Sequence, residues 1–282
     1  MNKGYYLTDL DGTLLQSNAT PSEYTVRVMS RAITEGAVVS YATARSYQSS
    51  NAVVSQIPWS HPLVLYNGAL LFDPVEKCLL DGFWLDPKTT NTLLLIGKSI
   101  GLVPLLFALD HEDKERVLHE KLGRTGDLQF AASRPNDPRF SEVEELACPD
   151  TLRPLILTYI GLFDELAPLK EKVIAALGSK VHIHFMKDNY IDNHYFLEFS
   201  HPQANKQNGL LLWAKHVGCS SADVTVFGDN LNDVGMFLAA GRKVAVANAH
   251  PEILDMADEI VQSNEEDGVA VFIEARMKAN KP

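Results

Sequence analysis

Two aspartates one residue apart follow an apolar run in the stretch YYLTDLDGTLL, residues 5–15. The run has the length of a strand, so the Asp-Gly turn that ends it places Asp9 and Asp11 at the carboxyl end of that strand. A second polar group follows the apolar run VTVF and consists of Asp229, Asn232 and Asp233. Converging carboxylates repel one another and are costly to bury without a cation. Oxygen ligands without Cys or His indicate a hard ion, most simply Mg²⁺.

Further polar residues stand at the ends of other predicted elements. Thr43 and Arg45 follow the apolar run AVVSYA, and Lys206 precedes a helical pattern. Taken singly, each has an ordinary explanation, since Asp-Gly turns are common and Lys206 could be a solvated lysine at a helix start. Neither acidic stretch fits a calcium-binding EF-hand loop. Ligands of open parallel sheets bind beyond the carboxyl ends of the strands, so the joint occurrence of these groups predicts one active site.

Strand-length apolar runs alternate with helical patterns at both ends of the chain. This alternation predicts right-handed βαβ units and an α/β fold, a doubly wound, Rossmann-like parallel sheet covered by helices on both faces. The first helix is expected to begin at Thr20-Pro21-Ser22-Glu23 with Thr20 as N-cap, and PLVLYNGA is expected to form the third strand. The middle of the chain predicts an inserted α+β domain. The predicted domains are a core at 1–82 and 191–282 and an insert at 83–190, with boundaries good to about eight residues.

Composition restricts the partners and the compartment. The net charge of −11, without a basic stripe, argues against nucleic-acid binding. The most membrane-like stretch, LLLIGKSIGLVPLLFAL, is interrupted by Lys98, Gly101 and Pro104, so no membrane partner is expected. Asp9 and Asp11 come before a signal-peptide core could form. Three distant cysteines fit free thiols, and we therefore expect a cytoplasmic protein.

Four of these stretches together resemble the haloacid dehalogenase superfamily of phosphotransferases. In chain order they are DLDGTLL, the Thr of ATARS, Lys206 and FGDNLND. The run VAVANAHPEIL and the NGA at Asn67 resemble the Cof-type branch, which carries an α/β cap between the second and third motifs. Two positions depart from the pattern: Ala44 replaces a common glycine, and Gln207 follows Lys206 where the branch usually has glycine. Neither departure removes a catalytic group.

The resemblance implies a role for each residue. Asp9 would be the nucleophile that forms an aspartyl-phosphate, and Asp11 the acid that protonates the leaving alkoxide and then the base that activates water. Thr43 and Lys206 would be the remaining catalytic residues, binding the phosphoryl oxygens. The implied substrate-binding residues are Thr43, Ala44, Arg45, Asn67 and Lys206. The implied metal site uses Asp9, the Asp11 backbone carbonyl and Asp229, supported by Asp233 and Asn232.

Some assignments stay open. Arg45 either touches the substrate or forms a surface ion pair. His182 and His184 alternate with apolar residues, which predicts a polar strand face turned toward the active-site mouth rather than a zinc site.

The leading hypothesis for function is a Mg²⁺-dependent phosphatase of small phosphate monoesters, such as sugar phosphates, in which the cap closes over the leaving group. A phosphomutase of sugar phosphates and a catalytically silent phospho-metabolite-binding protein are the alternatives. We expect a monomer or a small homo-oligomer.

Overall fold

The computed structural model of the protein describes residues 4–187 and 191–279. The chain divides into two compact units, here called the core and the cap. The core ends at Gly82 and resumes at Ala204, and the cap is Phe83–Gln203. No helix in the described residues is long and apolar enough to cross a membrane.

The described residues of the core form eight strands and six helices of more than one turn. Its strands are β1 (Tyr5–Thr8), β2 (Val38–Tyr41), β3 (Leu63–Leu65), β4 (Leu70–Asp73), β5 (Cys78–Gly82), β12 (Val224–Gly228), β13 (Arg242–Val246) and β14 (Glu259–Val261). Its helices are α1 (Glu23–Thr34), α2 (Tyr47–Val54), α6 (Lys206–Val217), α7 (Val234–Ala239), α8 (Pro251–Met256) and α9 (Gly268–Ala279).

Five of the core strands form a parallel sheet in the order β14-β13-β12-β1-β2. All four residues of β2 are buried, although successive side chains of a strand point to opposite faces. The sheet is therefore covered on both faces at β2, as parallel sheets usually are. Because β1 lies between β12 and β2, the segments that follow these three strands meet at one edge.

The first helix begins two residues later than its sequence pattern suggests. Ser22, not Thr20, is the N-cap, since its backbone is extended and its hydroxyl oxygen accepts from the backbone N–H of Thr25 at 3.0 Å. The same hydroxyl donates to Asp267 at 2.6 Å. The contact with Asp267, which is distant in sequence, helps to fix Ser22 as the cap.

The predicted third strand joins the parallel sheet by a single bridge rather than by a regular ladder. β3 pairs with β4 in a separate antiparallel sheet, β3-β4-β5, and is joined to the segment after β2 by a parallel bridge between Ala42 and Val64. After β3 comes the turn Tyr66–Gly68, whose three residues have positive φ values of 50°, 53° and 96°. This left-handed turn reverses the chain directly after β3.

The cap is built on one mostly antiparallel sheet. The strands of the cap are β6 (Leu105–Leu109), β7 (Glu115–His119), β8 (Phe140–Glu142), β9 (Arg153–Leu162), β10 (His182–Lys187) and β11 (His194–Ser200). The sheet has the strand order β10-β11-β9-β6-β7-β8. Its helices are α3 (Pro87–Lys98), α4 (Thr125–Ala132) and α5 (Phe163–Leu177). Its hydrophobic core includes Leu93, Leu157, Tyr159, Leu166 and Phe199.

The return from the cap to the core lies later than residue 191. β11 stands between β9 and β10 and forms hydrogen-bonded pairs with both. Residues 191–203 therefore belong to the cap, and the boundary between the units falls between Gln203 and Ala204.

Candidate active site

The turn after β1 brings the first two aspartates into different environments. Asp9 is buried, whereas Asp11 is exposed. Gly12 has φ +78°, and a Cβ built on it would lie 2.5 Å from Asp229 Oδ2, so only glycine fits there. Thr13 donates its hydroxyl to Asp229 Oδ1 at 2.7 Å. The turn is therefore fixed against the second acidic stretch.

Three carboxylates converge beyond β1 and β12. Oxygens of Asp9, Asp229 and Asp233 all lie within 4.8 Å of one another, and this is the one such group of three potential ligands in the described residues. The Oδ2 atom of Asp233 accepts from the backbone N–H groups of Asp229 at 3.0 Å and Asn230 at 3.1 Å. These bonds fix the orientation of Asp233, which closes the short turn Leu231–Asp233.

Lys206 supplies the positive charge of this cluster. Its Nζ lies 2.6 Å from Asp9 Oδ1 and 2.7 Å from Asp233 Oδ1, and all three side chains are buried. Lys206 is the first residue of α6, where the helix dipole disfavours a cation, so the two carboxylates must compensate for that position. Its helix is capped by Asn205, whose side chain accepts from the backbone N–H of Asn208 at 2.9 Å. Gln207 does not disturb this start, because the absence of a Cβ on Gly235 leaves room for it.

Burial and like charge shift the protonation of the cluster. Burial raises the pKa of Asp9 well above its usual value, and the Asp233 and Asp229 charges add to the rise although Lys206 opposes it. Burial, with Asp233, also raises the pKa of Asp229, to about 6. Burial lowers the pKa of Lys206, but the charges of Asp233 and Asp9 outweigh it and raise that pKa above its usual value. The site thus holds a permanent cation and an excess of carboxylate, which favours binding of a further cation.

The segment after β2 carries the predicted phosphate-binding residues. Thr43 is buried; its N–H donates to the Val64 carbonyl at 2.9 Å, and its hydroxyl oxygen accepts from the Arg45 N–H at 3.1 Å. The hydroxyl hydrogen of Thr43 is therefore available for another acceptor. Ala44 is exposed. Arg45 binds Asp11 through two bonds, from Nε to Oδ2 at 2.7 Å and from Nη2 to Oδ1 at 2.5 Å. Arg45 thus forms an ion pair, which was one of its two expected roles.

Asn67 and Asn232 come together. The Nδ2 group of Asn232 donates to Asn67 Oδ1 at 3.1 Å. The structure therefore joins a residue predicted to bind the substrate to one predicted to support the metal.

Two residues that the sequence analysis did not single out also fix the site. Asn248 donates from Nδ2 to the Gly12 carbonyl at 2.8 Å, and the backbone N–H of His250 donates to the Asp229 carbonyl at 2.7 Å. Both follow β13, the neighbour of β12 in the sheet. Their position after a strand of the same sheet is the signal that could have identified them.

The cap carries its own polar groups. His182 and His184 share one face of β10, and the register places His184 opposite Glu198 and Glu198 opposite Thr158. Thr158 donates to Glu198 at 3.2 Å, and burial raises the pKa of Glu198 to about 7. Asp127, on α4, is buried as well, and burial raises its pKa to about 6 against the opposing charge of Arg124. Among the described residues the cap holds no group of three His, Cys, Asp or Glu side chains whose ligand atoms lie within 4.8 Å of one another.

A family model described as haloacid dehalogenase-like hydrolase matches residues 6–273. The chain belongs to this family. The predicted resemblance is thus confirmed, and so are the α/β fold and the assignment of the chain as an enzyme of the hydrolase class. The structure of a haloacid dehalogenase-like hydrolase from Bacteroides thetaiotaomicron superimposes with a TM-score of 0.82, covering 98% of this chain and 100% of that chain at 22% identity.

Several curated relatives of this haloacid dehalogenase-like hydrolase carry phosphatase names. The pyridoxal phosphate phosphatase YbhA of Escherichia coli is 25% identical, with 94% of this chain and 95% of the relative covered. The 5-amino-6-(5-phospho-D-ribitylamino)uracil phosphatase YitU of Bacillus subtilis is 26% identical, with 94% of each chain covered. These names support a phosphoric monoester hydrolase within the family.

Proposed function

We propose that this protein is a Mg²⁺-dependent phosphatase that hydrolyses small phosphate monoesters through an aspartyl-phosphate on Asp9. The observation that carries the proposal is the contact of buried Lys206 with both Asp9 and Asp233, beside Asp229. A lysine that binds an aspartate nucleophile can also neutralise a phosphoryl oxygen beside it. A purely structural ion pair would need neither the third carboxylate nor the phosphate-binding threonine.

Asp9 is suited to attack phosphorus because its carboxylate is held in one orientation. Lys206 binds Oδ1 at 2.6 Å, which leaves Oδ2 as the attacking oxygen. The hydroxyl of Thr43 would donate to a phosphoryl oxygen, since its bond from the Arg45 N–H uses the oxygen and not the hydrogen. In the second half of the reaction a water molecule attacks the aspartyl-phosphate and releases inorganic phosphate.

The residues fit a hard divalent ion. Asp9, Asp229 and the carbonyl of Asp11 would hold Mg²⁺, while Asp233 and Asn232 orient the loop around it. The donor set contains oxygen only, and burial together with mutual repulsion raises the pKa values of its Asp9 and Asp229 carboxyls, a cost that a bound cation would relieve. When bound, the ion would neutralise phosphoryl and carboxylate oxygens.

Asp11 is the proposed acid and base. Its carboxylate is exposed, so it can reach the leaving group once a substrate is bound. Arg45 holds both of its oxygens in the free protein. We infer that Arg45 orients Asp11 until a substrate binds, when one Asp11 oxygen exchanges its bond with Arg45 for a hydrogen bond with the oxygen of the leaving group.

The substrate class is a small phosphorylated metabolite, such as a sugar phosphate or a related ester. The relatives named for pyridoxal phosphate and for a phosphoribitylamino-uracil support this class. Leaving-group recognition is assigned to the cap. We further propose a cytoplasmic monomer or small homo-oligomer without nucleic-acid or membrane partners, since all three cysteines are free and the net charge is −11.

The experiment measures phosphate release from an aryl phosphate and from sugar and nucleotide phosphates, with Mg²⁺ and with EDTA. We expect metal-dependent release that falls by roughly 10⁴-fold or more in Asp9→Asn, because the nucleophile is lost. The matched control is Asp255→Asn, an exposed aspartate on α8. A folded Asp9→Asn protein with normal hydrolysis would refute the mechanism, and isomerised sugar phosphate with little inorganic phosphate would indicate a phosphomutase.

A further inference from the structure

The left-handed turn Tyr66–Gly68 is an unusual piece of backbone beside the active site. Tyr66 and Asn67 have φ values of 50° and 53°, in a region that residues with a Cβ rarely adopt, and Gly68 follows at 96°. Consecutive residues in this region are retained only where surrounding contacts impose them, and such strain concentrates at functional sites. The contacts of the turn therefore indicate what it does.

The backbone of the turn holds the segment after β2. The N–H of Asn67 donates to the Thr43 carbonyl at 2.8 Å, and the N–H of Tyr66 donates to the Arg45 carbonyl at 3.1 Å. Two successive N–H groups of the turn thus bind two carbonyls of the segment after β2. The turn therefore fixes Thr43, which carries the proposed phosphate-binding hydroxyl, and Arg45, which binds Asp11.

The other side of the turn holds the third and fourth motifs. A Cβ built on Gly68 would lie 2.1 Å from the Asn205 carbonyl oxygen, so the turn packs directly on the cap residue of the helix that begins with Lys206. The side chain of Asn67 accepts from Asn232 at 3.1 Å. One turn of three residues therefore contacts three separate segments of the site.

We propose that the Tyr66–Gly68 turn is the positioning element that sets the Thr43, Lys206 and Asn232 segments relative to one another, and that Asn67 acts through Asn232 rather than on the substrate. The inference rests on the proposed function, because the residues being positioned are those of the proposed phosphatase. This positioning role replaces the expectation, made from the sequence, that Asn67 contacts the substrate directly. A residue that positions the phosphoryl site affects every ester alike, whereas a residue that touches the leaving group discriminates among esters.

The first test compares two glycines with similar backbones. Gly68 and Gly36 have φ values of +96° and +91°, but no atom of the described residues lies within 4 Å of a Cβ built on Gly36. Gly36→Ala thus carries the backbone strain without the clash. We expect Gly36→Ala to retain kcat/KM and Gly68→Ala to lose about tenfold or more, because small displacements of catalytic groups are costly. Equal kcat/KM for two folded variants would overturn the proposal.

The second test does not require Gly68→Ala to fold. Asn67→Gly adopts positive φ freely and keeps the backbone bond to Thr43, so it removes only the side-chain contact with Asn232. We expect kcat to fall by about threefold to tenfold, by the same factor for aryl and sugar phosphates and with little change in KM. Asn67→Asp, which keeps an acceptor for Asn232, should recover kcat. A loss confined to particular leaving groups would show that Asn67 contacts the substrate.

A double-mutant cycle separates this inference from the proposed function. Urea unfolding of Asn67→Gly, Asn232→Ala and the double variant measures coupling between the two residues without any turnover. We expect the double variant to be destabilised by less than the sum of the single changes. Strictly additive effects would overturn the positioning contact even in an active enzyme. Coupling in a protein that hydrolyses no ester would instead refute the proposed phosphatase and, with it, the catalytic role of the turn.

Discussion

The core and the cap both bury carboxylates, but the partners of these carboxylates differ between the two units. In the core, Asp9 shares a lysine with Asp233 and lies beside Asp229. In the cap, Asp127 has an Oδ1 atom without a hydrogen-bond partner among the described residues. Burial raises the pKa in both units. A raised pKa therefore does not by itself identify a catalytic carboxylate; convergence with a cation and with other carboxylates does.

Strand direction explains why, among the described residues, the core assembles such a group and the cap does not. β1, β2 and β12 run parallel, so the residues that follow them, including Asp9, Thr43 and Asp229, meet at one edge. Neighbouring strands of the cap sheet are antiparallel, except for β7 and β8. The segments after them alternate between the two edges. Polar residues at their ends are consequently dispersed, and those of the cap instead line up across the strands, as His184, Glu198 and Thr158 do.

The comparison predicts the largest effect for the lysine of the core cluster. Lys206→Met leaves Asp9 and Asp233 buried without their cation, so we expect a loss of roughly 3–5 kcal/mol in the free energy of unfolding at neutral pH. Phosphate release should fall by more than about 10²-fold, because the transition-state charge loses a partner. Urea unfolding and steady-state kinetics measure the two effects.

Lys215→Met is the matched control, since Lys215 lies exposed on the same helix. It should change the unfolding free energy by less than about 0.5 kcal/mol. A Lys206→Met protein as stable as the wild type would mean that the core carboxylates resemble those of the cap and need no cation.

A smaller effect is expected at Arg45. Arg45→Lys keeps the charge but loses the two parallel bonds to Asp11. We expect kcat to fall by about threefold to tenfold for sugar phosphates, whose alkoxide must be protonated, and by less for an activated aryl phosphate. Kinetics with both substrates measure the difference.

The control for Arg45 is a surface pair of the same unit. Arg31 binds Glu274 at 2.8 Å on the exterior of the core, and Arg31→Lys should leave both rates unchanged. Equal losses for sugar and aryl phosphates in Arg45→Lys would argue that Arg45 does not act through Asp11.

The core site could be predicted from the sequence because its residues stand at fixed places in a regular pattern. Asp9, Thr43 and Asp229 each follow a strand, and parallel strands bring their ends together whatever the intervening chain does. The ends of elements were less predictable. Thr20 and Ser22 are both good N-caps, and the contact that distinguishes them comes from Asp267, distant in sequence.

Two other features could not be predicted for related reasons. The local sequence around Tyr66 reads as the end of a strand. Tyr66 nevertheless adopts positive φ, because contacts of the turn with the segments that contain Arg45 and Asn205 impose this conformation. The segment HYFLEFS looks like a strand in either unit. Only its pairing with β9 and β10 assigns it to the cap. Contacts between residues distant in sequence therefore determine both the turn and the position of this strand, which local propensity does not specify.

The smallest expected effect concerns stability rather than activity. In the folded protein the pKa of Asp127 is raised to about 6 from an ordinary value of 3.8, so the folded state binds more protons than the unfolded state between these values. Stability contributed by this group is thus lost as pH rises through that window. Asp127→Asn removes the ionisable carboxyl and with it this pH-dependent loss of stability. We expect the variant to be more stable than the wild type by about 1–3 kcal/mol at pH 7.

Urea unfolding at pH 4 and at pH 7 measures this difference. The gain should shrink toward zero at pH 4, where the wild-type carboxyl is protonated when folded, and phosphate release should remain within about twofold of wild type. Asp150→Asn, at an exposed cap aspartate, controls for the loss of one negative charge. If Asp127→Asn instead destabilised the protein at pH 7, the Asp127 carboxylate would be compensated by its surroundings. The contrast between its unpaired Oδ1 atom in the cap and the Lys206 cluster of the core would then fail.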